Sequence, residues 1–173
     1  FSFLKKRIGL LDAVVFSGGE CLLHKNILEL IAEVKKMGFL VKIDTNGSKP
    51  AVLQELLTKK LIDYVALDFK AMPAHFEKVT QSNLFLPFHK SVRMLIDSGL
   101  SFEVRTTVHS DLIDGNQLRQ MIQYLEKQNY LGNYYVQHFM NGATTLEPLG
   151  YSTRGIEREN FSTSNIKVYF RGK

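Results

Sequence analysis

Cysteine is nearly absent from this sequence of 173 residues, which contains only Cys21. A single thiol excludes an internal disulfide framework and fits a reducing compartment, so we predict a cytoplasmic protein. One thiol alone also cannot hold an iron–sulfur cluster or a structural zinc ion. The five histidines lack the His-x3-His spacing of a helical zinc site, and we predict no zinc.

Long hydrophobic runs are missing as well. No apolar stretch approaches the roughly 20 residues that a bilayer-spanning helix needs, so we expect no membrane association. The sequence starts at Phe1 without an initiator methionine, and its basic residues 5–7 follow the first apolar residues, whereas a signal peptide has the opposite order. These features are typical of a fragment or of the ordered part of a longer chain.

The charge balance is moderately basic, with a net charge of +5 at pH 7. The stretch 154–173 contributes +3 of this total, from five basic and two acidic residues. A basic excess favours acidic partners over long distances. A solvated surface or tail is the simpler interpretation, and charge alone does not predict nucleic acid as a partner.

Short apolar segments with the length of strands alternate with segments that have a helical period. The predicted strands are 13–16, 39–43, 64–67, 102–108 and 134–139, with a terminal strand at 166–170. The first of them is continuously apolar and is predicted to be buried. Apolar strands that alternate with amphipathic helices predict an α/β fold with a parallel sheet covered by helices.

The boundaries of the predicted helices follow from capping residues. Asn26 with Glu29 resembles a capping box, and Gly38 stands where a C-terminal cap belongs. Further boundaries are predicted at Pro50, Gly99 and Asp114. The stretch 72–87 contains two prolines and is predicted to be irregular.

At 45% hydrophobic residues, the chain suits one domain with a substantial core. We predict a domain over residues 1–140 and an irregular basic tail over 141–173. Right-handed crossovers can close the sheet into a barrel or leave it open and doubly wound, and periodicity does not choose between these two.

Polar motifs follow four of the predicted strands. They are Ser17-Gly18-Gly19-Glu20, Asp44-Thr45-Asn46-Gly47, Asp68-Phe69-Lys70 and Arg105-Thr106-Thr107. Parallel strands present their carboxyl ends at one edge, so these motifs are expected to meet there and to suit a zwitterionic ligand with hydroxyl groups. Each motif alone has a structural explanation as a turn or an exposed ion pair, and only the combination indicates a ligand site.

The same motifs resemble those of radical-SAM enzymes. The segment 14–20 is similar to the Gly-Gly-Glu motif of that superfamily, 44–47 to its Asp/His-Thr-Asn-Gly, and 68–70 to its Asp-x-Lys. Within the superfamily, Arg105-Thr106-Thr107-Val108 and Gln137-x-Phe139 resemble the anaerobic ribonucleoside-triphosphate reductase activating proteins, which are close to the pyruvate formate-lyase activating enzymes. The resemblance covers about residues 12 to 140 and implies a partial (β/α)6 barrel whose first strand and cluster loop are incomplete or absent here.

The resemblance also implies a role for each motif in binding S-adenosylmethionine (SAM). Gly18, Gly19 and Glu20, in the motif that begins with Ser17, would bind the amino group of the methionine moiety. Asp44 and Asn46 would line the methionine and ribose region. Asp68 and Lys70 would contact the methionine moiety and the substrate end, Arg105 would lie near the carboxylate with Lys70, and Phe139 would lie near the adenine.

The implied activity is one-electron reduction of SAM by a 4Fe–4S cluster, which gives methionine and a 5′-deoxyadenosyl radical. That radical removes hydrogen from a glycine of the anaerobic reductase, and flavodoxin or ferredoxin would donate the electron. The family holds its cluster through a Cys-x3-Cys-x2-Cys loop that this sequence lacks, so the ligands are expected upstream of Phe1. Cys21 occupies a position where the family has proline, and we interpret it as a tolerated small residue.

Two other functions stay open at this point. The chain could belong to a radical-SAM enzyme that acts on another glycyl-radical enzyme or on a small molecule. It could also be a degenerate, non-catalytic barrel that binds a partner, an interpretation that the missing cysteines and the basic tail favour.

Overall fold

The structure, a computed structural model, describes residues 1–145, 147–152, 156 and 160–171. All six strands that the sequence predicts are present, and helices alternate with them. In chain order the elements are α1 (Ser2–Lys5), β1 (Ala13–Phe16), α2 (Ile27–Lys36), β2 (Leu40–Thr45), α3 (Pro50–Thr58), β3 (Tyr64–Asp68), α4 (Pro73–Thr80), α5 (Phe85–Ser98), β4 (Phe102–Val108), α6 (Gly115–Lys127), β5 (Gly132–His138) and β6 (Ile166–Arg171). None of the helices in the described ranges is long and apolar enough to cross a membrane.

The strands follow one another in the order β1-β2-β3-β4-β5-β6. The pairs β1–β2, β2–β3, β4–β5 and β5–β6 are all parallel, which confirms the predicted α/β fold with outer helices. The chain divides into two compact units, of which the first comprises Phe1–Leu67 and Pro87–Phe102, and the second Asp68–Leu86 and Glu103–Lys173. The division into a domain of 1–140 and a tail of 141–173 stays a prediction.

The first unit has its core on one face of β2. Val41, Ile43 and Thr45 are buried there, in strict alternation with partly exposed residues, as expected of a strand with period 2. The apolar stripe of α2, including Ile31 and Val34, is buried as well.

Strand β1 is not buried, and that prediction was wrong. None of its residues belongs to the buried class, and Val15 keeps 52% of its surface exposed. The physical reason is its place at the end of the strand order, where β2 is its one partner in the described chain. The continuous apolar run therefore predicted the strand correctly but predicted its burial wrongly.

The predicted start of α2 is correct in position and wrong in mechanism. Asn26 is the N-cap residue, yet its side chain accepts no hydrogen bond from the helix, so the capping box with Glu29 does not form. Instead, the backbone N–H of Asn26 donates to Nδ1 of His24 (3.3 Å). Gly38 follows the helix at φ +90°, a left-handed conformation that glycine adopts without steric cost, as predicted.

The stretch 72–87 is largely helical, contrary to prediction. Pro73 begins α4, and Pro87 lies in the first turn of α5. Proline is tolerated in a first helical turn because the missing N–H would have no partner within the helix. Phe76 of α4 is buried and packs edge to face against Phe85, with ring centroids 5.6 Å apart.

The second unit is organised by α6 and by β4 to β6. Asp114 caps α6 as predicted and forms a reciprocal capping box with Gln117. The apolar side of the helix is buried at Leu118, Met121, Ile122 and Leu125. The predicted terminal strand is confirmed as β6, which pairs with β5 from Gly132↔Ile166 to Gln137↔Arg171.

A buried hydroxyl network links strands of the second unit. Tyr134 is fully buried, and its hydroxyl lies 2.6 Å from Oγ1 of Thr106, which donates to the carbonyl of Phe69 (2.7 Å). Burial raises the pKa of the Tyr134 phenol well above its usual value. Three of the five basic residues of the predicted tail, Arg154, Arg158 and Lys173, lie outside the described residues.

Candidate functional site

A glycine turn directly follows β1. Gly18 and Gly19 adopt φ values of +104° and +54°, which other residues reach only with strain. A Cβ atom at either position would meet no atom within 4 Å. The glycines are therefore required by the backbone conformation rather than by lack of space. Together with Ser17 they are exposed, so the turn presents backbone groups to solvent.

The carboxylate of Glu20 binds the turn after the neighbouring strand β2. Oε2 accepts the backbone N–H of Asn46 (2.6 Å), and Oε1 accepts the hydroxyl of Thr45 (2.8 Å) and the backbone N–H of Leu22 (3.1 Å). Hydrogen bonds to an ionised acceptor are stronger than neutral ones. Glu20 thus fixes the two predicted motifs, 17–20 and 44–47, against each other.

The turn 44–47 is held from several directions. Asn46 Oδ1 accepts the N–H of Ser48 (2.9 Å), and Oγ1 of Thr45 accepts the N–H of Gly47 (3.0 Å). Gly47 has φ +71°, and a Cβ there would approach Cδ1 of Leu67 to 3.0 Å. From α5, the hydroxyl of Ser91 donates to the carbonyl of Gly47 (2.7 Å). The turn is therefore rigid, and its Asn-Gly sequence is dictated by packing as well as by turn geometry.

Cys21 lies between these motifs and is nearly buried. Its thiol donates to the backbone carbonyl of Asp44 at an Sγ–O distance of 3.3 Å. Burial, followed by the negative charges of Glu20 and Asp44, raises the pKa of this thiol to about 12. Metal ligation and nucleophilic attack both need the thiolate, so Cys21 fits a structural role in the turn.

The residues around Glu20 form a cluster, here called the acidic cluster, of Glu20, Asp44 and Lys42. Nζ of Lys42 lies 3.6 Å from Oδ1 of Asp44. Two carboxylates and one ammonium give the acidic cluster one net negative charge. Such a cluster, next to an open glycine turn, can bind a cation that also donates hydrogen bonds.

A second cluster, here called the basic cluster, lies in the second unit and consists of Asp68, Lys70 and Arg105. Lys70 Nζ donates to Oδ2 of Asp68 (3.1 Å), while Nε and Nη2 of Arg105 lie 3.0 and 2.9 Å from Oδ1. Two cations on one carboxylate leave one net positive charge. The Arg105 side chain is only 15% exposed, so its charge is screened less than that of a surface residue.

Phe139 follows β5 in the second unit. Its N–H continues the strand pairing by donating to the carbonyl of Val108 (2.9 Å). Its ring packs edge to face against His109, with centroids 4.9 Å apart.

The comparison with protein families is decisive for residues 2–127, which match the model described as "Radical SAM superfamily". The matched range covers most of the chain. The chain belongs to the radical SAM superfamily.

Two curated relatives share segments with this chain. A Methanocaldococcus jannaschii protein with the provisional name glycyl-radical enzyme activating enzyme is 55% identical over 60 residues, which cover 34% of this chain and 25% of that protein. The 7-carboxy-7-deazaguanine synthase of Haemophilus influenzae is 32% identical over 88 residues, which cover 50% of this chain and 36% of that protein. The chain thus spans about a quarter to a third of the length of these relatives.

A similar fold is also found among solved structures. A domain of pyruvate-formate lyase-activating enzyme from Bacteroides vulgatus superimposes with a TM-score of 0.64 at 15% identity. The match covers 78% of this chain and 85% of that domain. At this identity the likeness concerns the fold, and with the superfamily match it selects the partial barrel between the two architectures that periodicity left open.

The superfamily implies SAM and a 4Fe–4S cluster as cofactors. The described residues suit these two cofactors to different degrees. Within the described residues, no group of three or more His, Cys, Asp or Glu side chains could hold a metal ion. The single thiol is buried and bonded to Asp44, so these residues do not fit a cluster. The acidic cluster, taken by itself, suits the ammonium group of a zwitterion such as SAM, and the basic cluster, taken by itself, suits a carboxylate.

Two residues that support the radical SAM motifs were not predicted as site residues. Thr45 is almost completely buried and joins Glu20 to Gly47, and Ser91 holds Gly47 from α5. Thr45 stands inside a motif, so its role could have been inferred from the turn chemistry of hydroxyl side chains. Ser91 is a small polar residue in an amphipathic helix, and its sequence context gives no such signal.

Proposed function

We propose that this chain is part of a glycyl-radical activating enzyme. The enzyme cleaves SAM reductively to methionine and a 5′-deoxyadenosyl radical, which removes hydrogen from a glycine of an anaerobic ribonucleoside-triphosphate reductase. The observation that carries the activase class is the 55% identity over 60 residues with the Methanocaldococcus jannaschii relative. The reductase as partner is supported by the resemblance of residues 105–108 and of Gln137-x-Phe139 to its activating proteins.

The acidic cluster binds the ammonium group of SAM. It carries the net negative charge, and the exposed backbone of Gly18 and Gly19 adjoins it. Glu20 has two roles here, because the carboxylate that faces the ammonium also holds the N–H of Asn46. Asp44 and Asn46 line the methionine and ribose region.

The basic cluster binds the carboxylate of SAM. Lys70 and Arg105 supply two positive charges, and Asp68 fixes both cations by bonding to each of them. An Arg guanidinium suits this task because its planar donors match the geometry of a carboxylate. Phe139 lies near the adenine.

A 4Fe–4S cluster held outside this sequence would supply the electron for SAM cleavage, and flavodoxin or ferredoxin would deliver it. The cluster ligands are cysteines upstream of Phe1, since Cys21 is the one cysteine of this sequence and is unsuited to ligation. The partner is a glycyl-radical enzyme, and the compartment is the cytoplasm, as the low cysteine content indicates.

The proposed activity is tested on the full-length protein, reconstituted with iron and sulfide and reduced without oxygen. We expect release of methionine and 5′-deoxyadenosine from SAM, together with a glycyl radical on the reductase in electron paramagnetic resonance spectra. SAM cleavage without any glycyl radical on the reductase would exclude this partner, and absence of cleavage would exclude the activity.

The two clusters predict which substitutions weaken SAM binding. Glu20→Gln and Lys70→Ala each remove one charge that faces the zwitterion, so we expect SAM affinity to fall about tenfold or more in each variant, equivalent to about 1.4 kcal/mol. The measurement is isothermal titration of the reconstituted protein with SAM.

Two control variants make the same kinds of charge change at exposed residues outside both clusters. Glu33→Gln and Lys59→Ala alter exposed partners of helical ion pairs and should leave the affinity within twofold of the original. Equal affinities of the two site variants and the two controls would contradict the assignment of both clusters.

A second candidate function is modification of a small molecule. It is favoured by the 32% identity over 88 residues with 7-carboxy-7-deazaguanine synthase. The two functions differ in which substrate loses a hydrogen atom to the 5′-deoxyadenosyl radical. With deuterium at the target glycine of the reductase, only the activase transfers deuterium to 5′-deoxyadenosine.

A further inference from the structure

An open groove of about 510 Å³ lies in the second unit, and no residue of either cluster lines it. Its lining includes Asp111 and Leu112, which follow β4, and Thr145 and Leu149, which follow β5. Strands β4 and β5 are parallel, so both stretches leave the sheet at the carboxyl ends of the strands. Ligand sites of parallel α/β sheets lie at this edge, so a macromolecular substrate must approach it.

The groove is negatively charged, although the chain as a whole carries +5. Its described lining includes the carboxylates of Asp111 and Glu147 and the ammonium of Lys78, which together give one net negative charge. The Asp111 side chain is 63% exposed, and Glu147 is exposed as well. Both carboxylates are therefore accessible to a cationic group that arrives from solvent.

The position of Asp111 is fixed by its neighbours. Nδ1 of His109, a residue that is only 3% exposed, accepts the backbone N–H of Asp111 (3.1 Å), and Nε2 lies 3.0 Å from the carbonyl oxygen of Gly150. Oδ1 of Asp111 accepts the hydroxyl of Ser110 (3.1 Å). A ring nitrogen that accepts a hydrogen bond carries no proton, so this imidazole is neutral and does not offset the charge of Asp111.

Apolar side chains lie in the same groove as the charged groups. Val79 of α4 lines it together with Leu112 and Leu149. Long basic side chains pack their methylene stems on apolar surface and keep the cationic head in polar surroundings. The combination of apolar lining and net negative charge therefore suits an arginine or lysine side chain.

Two large apolar side chains are exposed close to this lining. Met140 and Tyr151 keep 78% and 76% of their surfaces exposed, and Tyr151 is two residues from Leu149. Asn141 and Ser152 bond reciprocally, because the Ser152 N–H donates to Oδ1 (2.8 Å) and the Asn141 amide donates to the Ser152 carbonyl (3.2 Å). The sequence neighbours Met140 and Tyr151 are thereby held in adjacent segments. Tyrosine and methionine are enriched in protein–protein interfaces.

We propose that the groove is a docking site for an arginine or lysine side chain of the glycyl-radical enzyme, and that Met140 and Tyr151 contact the same partner beside it. This inference rests on the proposed function, because it concerns the partner of that reaction. Charge complementarity selects the basic side chain. The open form of the groove favours a macromolecule, since pockets for free small molecules bury about 70–90% of the ligand surface.

The charge of the groove is tested with the reconstituted full-length protein and the reductase. Asp111→Asn combined with Glu147→Gln keeps the side-chain shapes and changes the groove from one negative to one positive charge. We expect the affinity for the reductase to fall about tenfold. Lys78→Gln makes the groove more negative and should raise the affinity about twofold. Biolayer interferometry on immobilised reductase measures both effects, and the affinity for SAM should stay within twofold.

The apolar contact is tested in the same assay. Tyr151→Ala removes an exposed aromatic side chain and should weaken binding to the reductase about tenfold. Leu131→Ala is its control, because Leu131 is 71% exposed and precedes β5 at the opposite end of that strand. Glu33→Gln combined with Glu55→Gln is the control for charge, since both carboxylates belong to exposed helical ion pairs. Both controls should bind the reductase within twofold of the original protein.

The outcomes separate this inference from the proposed function. If the original protein neither binds the reductase nor forms a glycyl radical on it, the proposed function fails for this partner. If it binds, but the groove variants and Tyr151→Ala bind as tightly as the controls, the inference is overturned. It is also overturned if Tyr151→Ala abolishes self-association in analytical ultracentrifugation and leaves reductase binding unchanged, because the occupant is then a second copy. Should the double variant fail to fold, Lys78→Gln decides by the sign of its effect.

Discussion

At the scale of single residues, the environment of Cys21 decides its chemistry. The side chain is 9% exposed, its thiol hydrogen is donated to the carbonyl of Asp44, and two carboxylates lie nearby. All three features favour the neutral thiol over the thiolate. The pKa is higher in the folded chain than in the unfolded one, so the stabilisation that Cys21 contributes is present at neutral pH and is lost as the pH rises from about 9 toward 12.

The raised pKa predicts slow alkylation of the native protein. A shift from 9.0 to about 12 lowers the thiolate fraction at pH 8 about a thousandfold, because each pKa unit corresponds to a factor of ten. The rate of reaction with iodoacetamide, followed by mass spectrometry, should therefore rise by a factor of hundreds or more when the protein is unfolded in urea. Cys21→Ala should show no labelling in either state. Similar rates for native and unfolded protein would contradict the proposed environment of the thiol.

At the scale of elements, two helices with similar N-terminal sequences start by different means. The side chain of Asp114, the N-cap of α6, accepts the N–H of Gln117 (2.8 Å), and Oε1 of Gln117 accepts the backbone N–H of Asp114 (2.8 Å). Asn26 of α2 occupies the same position without any side-chain cap. Both residues are typical N-caps, so their sequence preference alone does not tell which of them stabilises its helix.

These two N-caps form a matched pair for a stability measurement. Asp114→Ala leaves the N–H of Gln117 without its partner, so the free energy of unfolding should fall by about 1 kcal/mol, within a range of about 0.5–2 kcal/mol. Asn26→Ala removes no capping bond and should cost less than about 0.5 kcal/mol. Both values come from urea unfolding followed by circular dichroism. Equal losses in the two variants would show that the Asp114 bond contributes nothing to stability.

At the scale of the whole molecule, this chain combines motifs that resemble those of its superfamily with a single thiol. One cysteine is present, and it is buried in a turn. A 4Fe–4S cluster requires several thiolates, so the proposed function requires cluster ligands other than the residues of this sequence.

The proposed function predicts different iron contents for the 173-residue chain and for the full-length protein. The 173-residue chain, reconstituted with iron and sulfide, should bind no stoichiometric cluster, whereas the full-length protein should bind about four iron atoms per chain. Iron analysis and visible absorption after desalting measure the difference. Cys21→Ala in the full-length protein should keep its cluster, and loss of iron in that variant would show that Cys21 is a ligand after all.

The order of strands and helices follows from the sequence, because hydrophobic period and caps act over short distances. The strand 102–108 and the helix with Leu118, Met121 and Leu125 lie where their patterns place them. The site motifs were also recognisable, since Gly18 and Gly19 need a backbone that few other residues adopt.

What no local pattern contains is the environment of each residue. The exposure of β1, the open cap at Asn26, the bond from Ser91 to Gly47 and the burial of His109 depend on which distant segments pack nearby. The hydrogen bond that Glu20 accepts from Asn46 joins residues 26 positions apart, and the bond between His109 and Gly150 joins residues 41 positions apart. Local residue preferences therefore define the elements and their motifs, whereas packing between distant segments decides which side chains support the site and which line it.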